Sequence, residues 1–182
     1  MVIAREEMQE VVKSYKEPIG LNLGSHSALD AWQGQRNYGI RSIIYTTHAR
    51  ARIYLQNPMV GEPGQAIEDL PKQVRKDLIV TNDVKEIKKR GTWRSAILIL
   101  REYSDIVKYV DELVELECIQ IPNRAFSVYV GGDENCSVIE KKYGVPIIGS
   151  RKALKVENRG EIEKDYYWFA EKAGIPYPKT YK

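Results

Sequence analysis

The spacing of apolar residues along the chain changes between the period of a helix and that of a strand. Ile3–Tyr15 carries its apolar residues at helical spacing, and the short apolar run Ile19–Leu23 predicts a strand. A second helix is predicted over Ala28–Tyr38, and the run Arg41–Thr47, rich in β-branched and aromatic residues, predicts a second strand. A strand, a turn, a helix and a strand in this order open a parallel α/β sheet.

The same rhythm resumes after residue 94. Ala96–Leu100, Cys118–Ile121 and Val145–Ile148 have the composition of buried strands. Helices are predicted from Ser104 onward and over Cys136–Tyr143. Five strands joined by helices predict the α/β class: a Rossmann-like parallel sheet with helices on both faces, followed by a short C-terminal helical segment.

Two stretches depart from this rhythm and suggest how the chain is divided. Residues 57–94 are punctuated by proline and glycine and are predicted to be an insertion, within which Leu78–Val80 is a candidate short strand. After residue 150 the chain becomes highly charged, and Asp165–Ala173 predicts a helix with one aromatic face. We therefore expect one domain over residues 1–150 and the start of another over 151–182.

Composition excludes several classes of protein. The 182 residues are 43% hydrophobic and 29% charged, which is normal for a folded protein. A net charge of +3 is too small and too evenly mixed to indicate nucleic acid binding. Because no apolar run approaches the roughly 18 residues of a membrane span and no signal peptide is visible, we expect a cytoplasmic protein without a membrane partner. Cys118 and Cys136 suggest neither a disulfide scaffold nor a zinc site, so no metal site is predicted.

The strongest local signal for chemistry is the turn Gly24-Ser25-His26-Ser27 after the first strand. Backbone N–H groups at a helix N-terminus, with two hydroxyls and an imidazole, can bind an anion. In open α/β sheets ligands bind at the carboxyl ends of the strands, where this turn is expected. The alternative is an ordinary helix cap with a solvated histidine, since the turn matches neither a dinucleotide-binding nor a Walker motif.

Two further loops are expected at the same edge of the sheet. Asn123 and Arg124 follow a predicted strand and can grip a phosphate or an amide, although this loop can equally be a plain connection. Arg50 and Arg52 follow the second strand, and either can reach an anion at the edge. His48 has no visible carboxylate or serine partner, so a catalytic triad is not predicted.

Several stretches together resemble a known enzyme family. They are Gly24-Ser25-His26-Ser27-Ala28-Leu29-Asp30, IPNRAFSVYVG at 121–131, VPIIGSRK at 145–152, and the tail from Asp165 through Pro176. In this order and spacing they resemble the N-terminal part of the archaeal formate–phosphoribosylaminoimidazolecarboxamide ligases, the PurP family of the ATP-grasp superfamily. The resemblance covers nearly all of the chain except residues 57–94, and about the first half of a family enzyme.

The resemblance implies a reaction and its ligands. The family formylates aminoimidazole carboxamide ribotide with formate in purine (IMP) biosynthesis, driven by ATP and Mg²⁺. Residues 1–150 would be a Rossmann-like pre-ATP-grasp domain on the substrate side, and 151–182 the truncated start of an ATP-grasp domain. The family's ATP site and acidic magnesium ligands lie beyond the position where this chain ends. We therefore expect this chain alone to bind neither ATP nor Mg²⁺, to carry no catalytic residue and to be inactive.

The resemblance also assigns roles to residues of the three loops. His26 corresponds to the family's substrate-contacting histidine, and Arg50 to a basic position that can meet the ribotide phosphate. The expected substrate-binding residues are polar or basic side chains of these loops: Ser25, His26, Ser27, Arg50, Asn123, Arg124 and Ser127. Many family members have a serine where this chain has Ala125, which leaves the exact amine substrate open.

Two other functions stay open on the sequence. One is a stand-alone nucleotide- or phosphate-binding or interaction module. The other is the domain of a divergent ATP-grasp ligase that joins a different carboxylate and amine, which Ala125 and the stretch 57–94 favour. The candidate partners are the ribotide and formate, together with a complementary ATP-grasp half or a second copy of the chain.

Overall fold

The computed structural model describes residues 2–25, 27–58, 60, 65–123, 126–131, 136–151, 153–154 and 163–177. The chain divides into two units, Met1–Ile148 and Gly149–Lys182. The first unit contains the sheet and the loops predicted to bind a ligand. The second contains the predicted C-terminal helix.

Parallel strands form the centre of the first unit. Within the described residues they are β1 (Ile19–Leu23), β2 (Ser42–Thr47), β3 (Leu78–Thr81), β4 (Ser95–Leu100) and β5 (Cys118–Ile121). Their order across the sheet is β3-β4-β2-β1-β5, and every pairing is parallel. In register, Gly20 of β1 lies opposite Ser42 of β2 on one side and Ile119 of β5 on the other. The predicted α/β class with a Rossmann-like parallel sheet is confirmed.

Helices connect the strands, as parallel pairing requires. They are α1 (Arg5–Lys13), α2 (Ala28–Asn37), α3 (His48–Leu55), α4 (Lys72–Arg75), α5 (Val84–Lys89), α6 (Val110–Glu115), α7 (Phe126–Gly131), α8 (Cys136–Lys141) and α9 (Tyr166–Lys172), with 3-10 turns at Ile67–Asp69 and Tyr103–Tyr109. The helices predicted near residues 3–15, 28–38, 136–143 and 165–173 are present with shorter ends, and the helix predicted from Ser104 is a 3-10 turn continued by α6. The sequence did not indicate α3, α4, α5 or α7, because these helices have only four to eight residues.

The sheet is covered on both faces. Ile43, Ile44 and Tyr45 are all fully buried although successive residues of a strand point to opposite faces. On one face, Ile44 belongs to a core cluster with Trp32 of α2 and Tyr54 of α3. Burial of this kind is typical of a parallel sheet with helices on both sides, and it holds the loops at the strand ends on a rigid support.

The strand predicted at Val145–Ile148 is wrong. In the described residues this segment makes a single parallel bridge, between Gln120 and Ile147, in which the N–H of Gln120 donates to the carbonyl oxygen of Pro146 at 2.7 Å. The next parallel pairing, with Cys118, would need a hydrogen bond from the backbone N–H of residue 146. Proline has no N–H, so the pairing does not continue.

The remaining strand is β3, at the opposite edge of the sheet and inside the stretch 57–94. Leu78 lies opposite Ser95 of β4, and Leu78 and Ile79 are buried. The candidate strand at Leu78–Val80 is therefore confirmed, and the second half of the stretch is part of the sheet. That the stretch as a whole is an insertion stays a prediction.

Candidate functional site

The carboxyl ends of β1 and β5 lie side by side at the point where the strand order of the sheet reverses. β1 pairs with β2 on one side and with β5, much later in the chain, on the other. Ligands of open α/β sheets bind in the crevice at such a switch point. The loops that begin here are Gly24-Ser25 after β1 and Pro122-Asn123 after β5, so two of the loops predicted to share an edge do share it.

Gly24 allows the turn after β1 to pass directly over the end of β2. Its N–H donates to the carbonyl oxygen of Tyr45 at 2.7 Å. A Cβ atom at this position would lie 2.8 Å from Cβ of Thr46 and 2.9 Å from the Tyr45 carbonyl oxygen. Because a carbonyl oxygen of the sheet cannot move aside cheaply, only glycine fits here.

Asn123 joins the two loops. Its side-chain amide nitrogen donates to the carbonyl oxygen of Leu23 at 2.9 Å and to that of Ser25 at 3.1 Å. These two acceptors fix the orientation of the amide, so its oxygen Oδ1 faces the other way. Oδ1 is buried and has no hydrogen-bond donor within the part of the chain that the structure describes.

Arg50 reaches the turn after β1 from the first turn of α3. Its Nη1 donates to the hydroxyl of buried Ser25 at 2.9 Å, and its Nη2 donates to the hydroxyl of Tyr129 at 3.2 Å. The hydrogen bond to Tyr129 raises the pKa of Arg50 above its ordinary value, so the guanidinium keeps its positive charge. Arg52, the other candidate, is exposed. The structure therefore brings together Ser25, Arg50 and, through its bond to the Ser25 carbonyl, Asn123.

Two tyrosines that sequence reasoning missed hold this cluster in place. The hydroxyl of Tyr103, which lies just after β4, donates to the carbonyl oxygen of Gly24. The Tyr103 ring lies 5.0 Å from that of Tyr129, whose ring lies 5.4 Å from the Arg50 guanidinium carbon. The sequence did contain one indication of the role of Tyr103, because this residue lies just after a predicted strand, at the same edge of the sheet as the predicted loops.

A buried polar network supports the same edge from below. The hydroxyls of Tyr45 and Tyr143 both donate to Oε1 of Gln120, at 3.1 and 2.8 Å, and Nε2 of Gln120 donates to the carbonyl oxygen of Leu21 at 3.1 Å. Burial raises the pKa of Tyr45 well above its ordinary value, so its hydroxyl stays protonated and continues to donate. The network ties β1 to β5 below the crevice.

The other predicted site residues are placed differently or lie outside the described residues. Ser27 is the N-cap residue of α2, is exposed and makes no side-chain capping bond. Ser127 lies in α7, and its buried hydroxyl has no partner among the described residues. The predictions for His26, Arg124 and Ala125 fall outside the described residues.

A cleft of about 500 Å³ opens beside the cluster. It lies over the carboxyl ends of the neighbouring strands β2 and β4. Its walls include Thr47 and His48 after β2, Arg101 and Ser104 after β4, and Tyr129 of α7. A volume of this order suits a small organic ligand.

Two features are absent from the part of the chain that the structure describes. Three or more His, Cys, Asp or Glu side chains do not come together anywhere in this part of the chain as a metal site would require. None of its helices is long and apolar enough to cross a membrane.

The fold and the edge cluster define a Rossmann-like parallel α/β protein with a cationic, hydrogen-bonding cluster at its switch point. The chain belongs to the family described as "Protein of unknown function (DUF1246)", whose model matches residues 72–181.

Curated relatives have a more specific name. The chain is 24% identical to a protein of Methanopyrus kandleri over 99% of this chain and 40% of the relative, and 26% identical to one of Methanococcoides burtonii over 98% and 39%. A Korarchaeum cryptofilum protein is 26% identical over 100% and 40%. Each is named "5-formaminoimidazole-4-carboxamide-1-(beta)-D-ribofuranosyl 5'-monophosphate synthetase". The resemblance seen in the sequence is confirmed, and the chain spans about 40% of the length of these relatives.

Proposed function

We propose that this chain is the substrate-side domain of an ATP-dependent ligase that formylates aminoimidazole carboxamide ribotide with formate in purine (IMP) biosynthesis. The names of the relatives support this, because they describe a formylated carboxamide that carries a ribose 5'-monophosphate. The fold supports it as well, because a switch-point crevice is where a parallel α/β domain binds a phosphorylated ligand.

The observation that carries the proposal is the position of Arg50. Its guanidinium is held by Ser25 and Tyr129 at the switch point, so a permanent positive charge sits where the turn after β1 can present N–H groups. A guanidinium fixed in this way is preorganised to bind a phosphate. His26, the residue that follows Ser25 in the sequence, is proposed to hydrogen-bond the ribotide.

The second loop offers complementary groups. Asn123 Oδ1 is a buried acceptor that lacks a donor among the described residues, and the hydroxyl of Ser127 likewise lacks a partner there. A buried polar group without a partner costs about 1–3 kcal/mol. The amine and carboxamide N–H groups of the ribotide are donors that would remove this cost, and we propose Asn123 and Ser127, with Arg124, as the contacts of this loop.

We assign ATP and Mg²⁺ to the part of the relatives that this chain does not span. Within the described residues, no three His, Cys, Asp or Glu side chains come together as candidate metal ligands. The role proposed for this chain is therefore to bind and orient the ribotide, within residues 1–150, while 151–182 lead into an ATP-grasp domain. Ligation then requires a complementary ATP-grasp half.

Isothermal titration of the full chain with the ribotide tests this function. We expect 1:1 binding that weakens about tenfold or more in His26→Ala, since a lost hydrogen bond to a charged group is worth roughly 1.5–3 kcal/mol. Ser27→Ala tests the neighbouring hydroxyl, which the resemblance also implies as a substrate contact. A folded chain that does not bind the ribotide would exclude the proposal. Equal binding of unrelated phosphates would favour a general phosphate-binding module.

A further inference from the structure

A second cationic side chain lies at the same edge of the sheet, and the proposed function does not use it. Arg101 directly follows β4, which ends at Leu100, and its side chain is exposed. Within the described residues the Arg101 guanidinium makes no hydrogen bond and no ion pair. It lines the 500 Å³ cleft together with Thr47, His48 and Ser104.

The cleft is rich in hydrogen-bond donors that are not engaged elsewhere. His48 is exposed, and neither its imidazole nor the hydroxyls of Thr47 and Ser104 have a hydrogen-bond partner among the described residues. These groups come from two neighbouring strands, because β2 and β4 pair along their full lengths. An arginine with hydroxyl and imidazole donors around a concave surface is a recognition set for an oxyanion.

The acidic groups beside Arg101 are already engaged by other donors. The Glu102 carboxylate accepts the backbone N–H of Asp105, and the Asp105 carboxylate accepts the N–H of Glu102 at 3.1 Å in return. Asp105 is also paired with Lys108 at 2.6 Å, and this hydrogen bond is the main cause that lowers the pKa of Asp105. Both carboxylates therefore cap the 3-10 turn. Glu102 also lines the cleft, and the charge of Arg101 adds to the lowering of the Asp105 pKa. Within the described residues the Arg101 guanidinium forms no ion pair with either carboxylate, so it stays available to a ligand.

We propose that this cleft is a second oxyanion-binding site, in which Arg101 binds a phosphate or carboxylate group with the help of His48 and Ser104. The site adjoins the Arg50 cluster and shares Tyr129 with it, but its cation is a different one, since the Arg50 guanidinium is held by Ser25 and Tyr129. The inference extends the proposed function, on which it rests, because that reaction brings two oxyanions to this domain, the ribotide phosphate and formate. Two cations on one edge of the sheet provide one position for each.

The chain offers a matched control for Arg101. Arg94 directly precedes β4, so the two arginines lie at opposite ends of the same strand, and both are exposed. Arg101→Ala and Arg94→Ala remove the same charge and differ only in the end of the sheet they affect. We propose to titrate inorganic phosphate and, separately, formate into the full chain and both variants. Binding is followed by amide NMR shifts at constant ionic strength, because exposed charges are screened by salt.

We expect at least one of the two anions to shift amides of residues 47–49 and 101–104. Arg101→Ala should weaken that binding about tenfold, and Arg94→Ala should change it less than about twofold. Both variants should unfold near the wild-type temperature, because neither exposed side chain makes a hydrogen bond or ion pair within the described residues. Equal effects of the two variants would overturn the proposal, as would anion shifts that appear only around Arg50 and Ser25. Phosphate binding alone would assign the cleft to the ribotide phosphate, and formate binding alone to formate.

The ribotide and its unphosphorylated riboside separate this inference from the proposed function. If the cleft binds the ribotide phosphate, wild-type protein prefers the ribotide, and Arg101→Ala loses that preference. If the ribotide binds and depends on Arg50 but neither anion depends on Arg101, the cleft proposal is wrong and the proposed function survives. If phosphate or formate binding depends on Arg101 but the ribotide does not bind, the proposed function is wrong and the cleft remains an oxyanion site.

Discussion

The guanidinium of Arg50 donates to the hydroxyl of Ser25 at 2.9 Å, across 25 residues of sequence and between the loops of two neighbouring strands. Because of this bond, the buried hydroxyl of Ser25 accepts a hydrogen bond from Arg50 and positions its guanidinium, so it is not a free hydroxyl. It also joins α3 to the turn after β1, so the two elements present one surface at the switch point. Disturbing this surface should therefore be visible both in stability and in ligand binding.

The close approach at Gly24 predicts a clear difference between glycines. Gly24→Ala would place a Cβ atom 2.9 Å from the Tyr45 carbonyl oxygen, and we expect a loss of about 1–3 kcal/mol in the free energy of unfolding. Gly34→Ala, in α2, meets nothing within 4 Å and should stabilise the protein by roughly 0.5–1 kcal/mol. Urea unfolding of the two variants measures the sign of each change in the free energy of unfolding. Equal stabilities of the two variants would contradict the close approach at Gly24.

The hydroxyl of Tyr103 should contribute to stability independently of its ring. Tyr103→Phe keeps the packing against Tyr129 but removes the donor to the Gly24 carbonyl oxygen. We expect a loss of about 1–2 kcal/mol, because the buried carbonyl keeps only a long 3.5 Å contact from the Thr46 hydroxyl. Tyr38→Phe is the control, since this ring is 86% exposed and should change stability by less than about 0.5 kcal/mol. A Tyr103→Phe variant as stable as wild type would show that the bond contributes nothing.

The two cysteine thiols should not react with a thiol reagent while the protein is folded. Cys118 and Cys136 are both buried, and burial raises the pKa of the Cys118 thiol above its ordinary value of 9.0. Because the pKa of Cys118 is higher in the folded state than in the unfolded state, its protonated thiol contributes to the free energy of unfolding below pH 9. This contribution is lost as the pH rises further. A thiol reagent at pH 8 should label neither cysteine until denaturant is added, and then both. Rapid labelling of the native protein would contradict this burial.

Much of the fold could be predicted, because strands buried on both faces leave a strong apolar signal, as Ile19–Leu23 does. The two loops expected at one edge follow from the parallel direction of these strands. β3 was predicted only as a candidate, because its four residues are too few to show a clear periodicity. The strand predicted at Val145–Ile148 was wrong, because this segment is apolar like a strand but contains Pro146 and makes only one bridge.

The candidate site was predicted in part for a similar reason. Arg50 and Asn123 could be placed at the sheet edge because parallel strands deliver the loops that follow them to the same side. Their partners could not be placed from sequence. Tyr129 lies 79 residues from Arg50, and Tyr103 lies 79 residues from Gly24, so only the folded chain shows that they meet. Arg101 was overlooked because a single arginine after a strand has no motif around it.

The most direct test of the account is the affinity of the full chain for aminoimidazole carboxamide ribotide, measured by isothermal titration in wild type, Arg50→Ala and Arg52→Ala. Arg52 lies on the same helix and is exposed, so both variants remove one positive charge from α3. We predict that wild type and Arg52→Ala bind the ribotide with affinities within about twofold, and that Arg50→Ala binds it about 10–100-fold more weakly. Equal binding by all three proteins, or binding by none of them while folded, would contradict the proposed site.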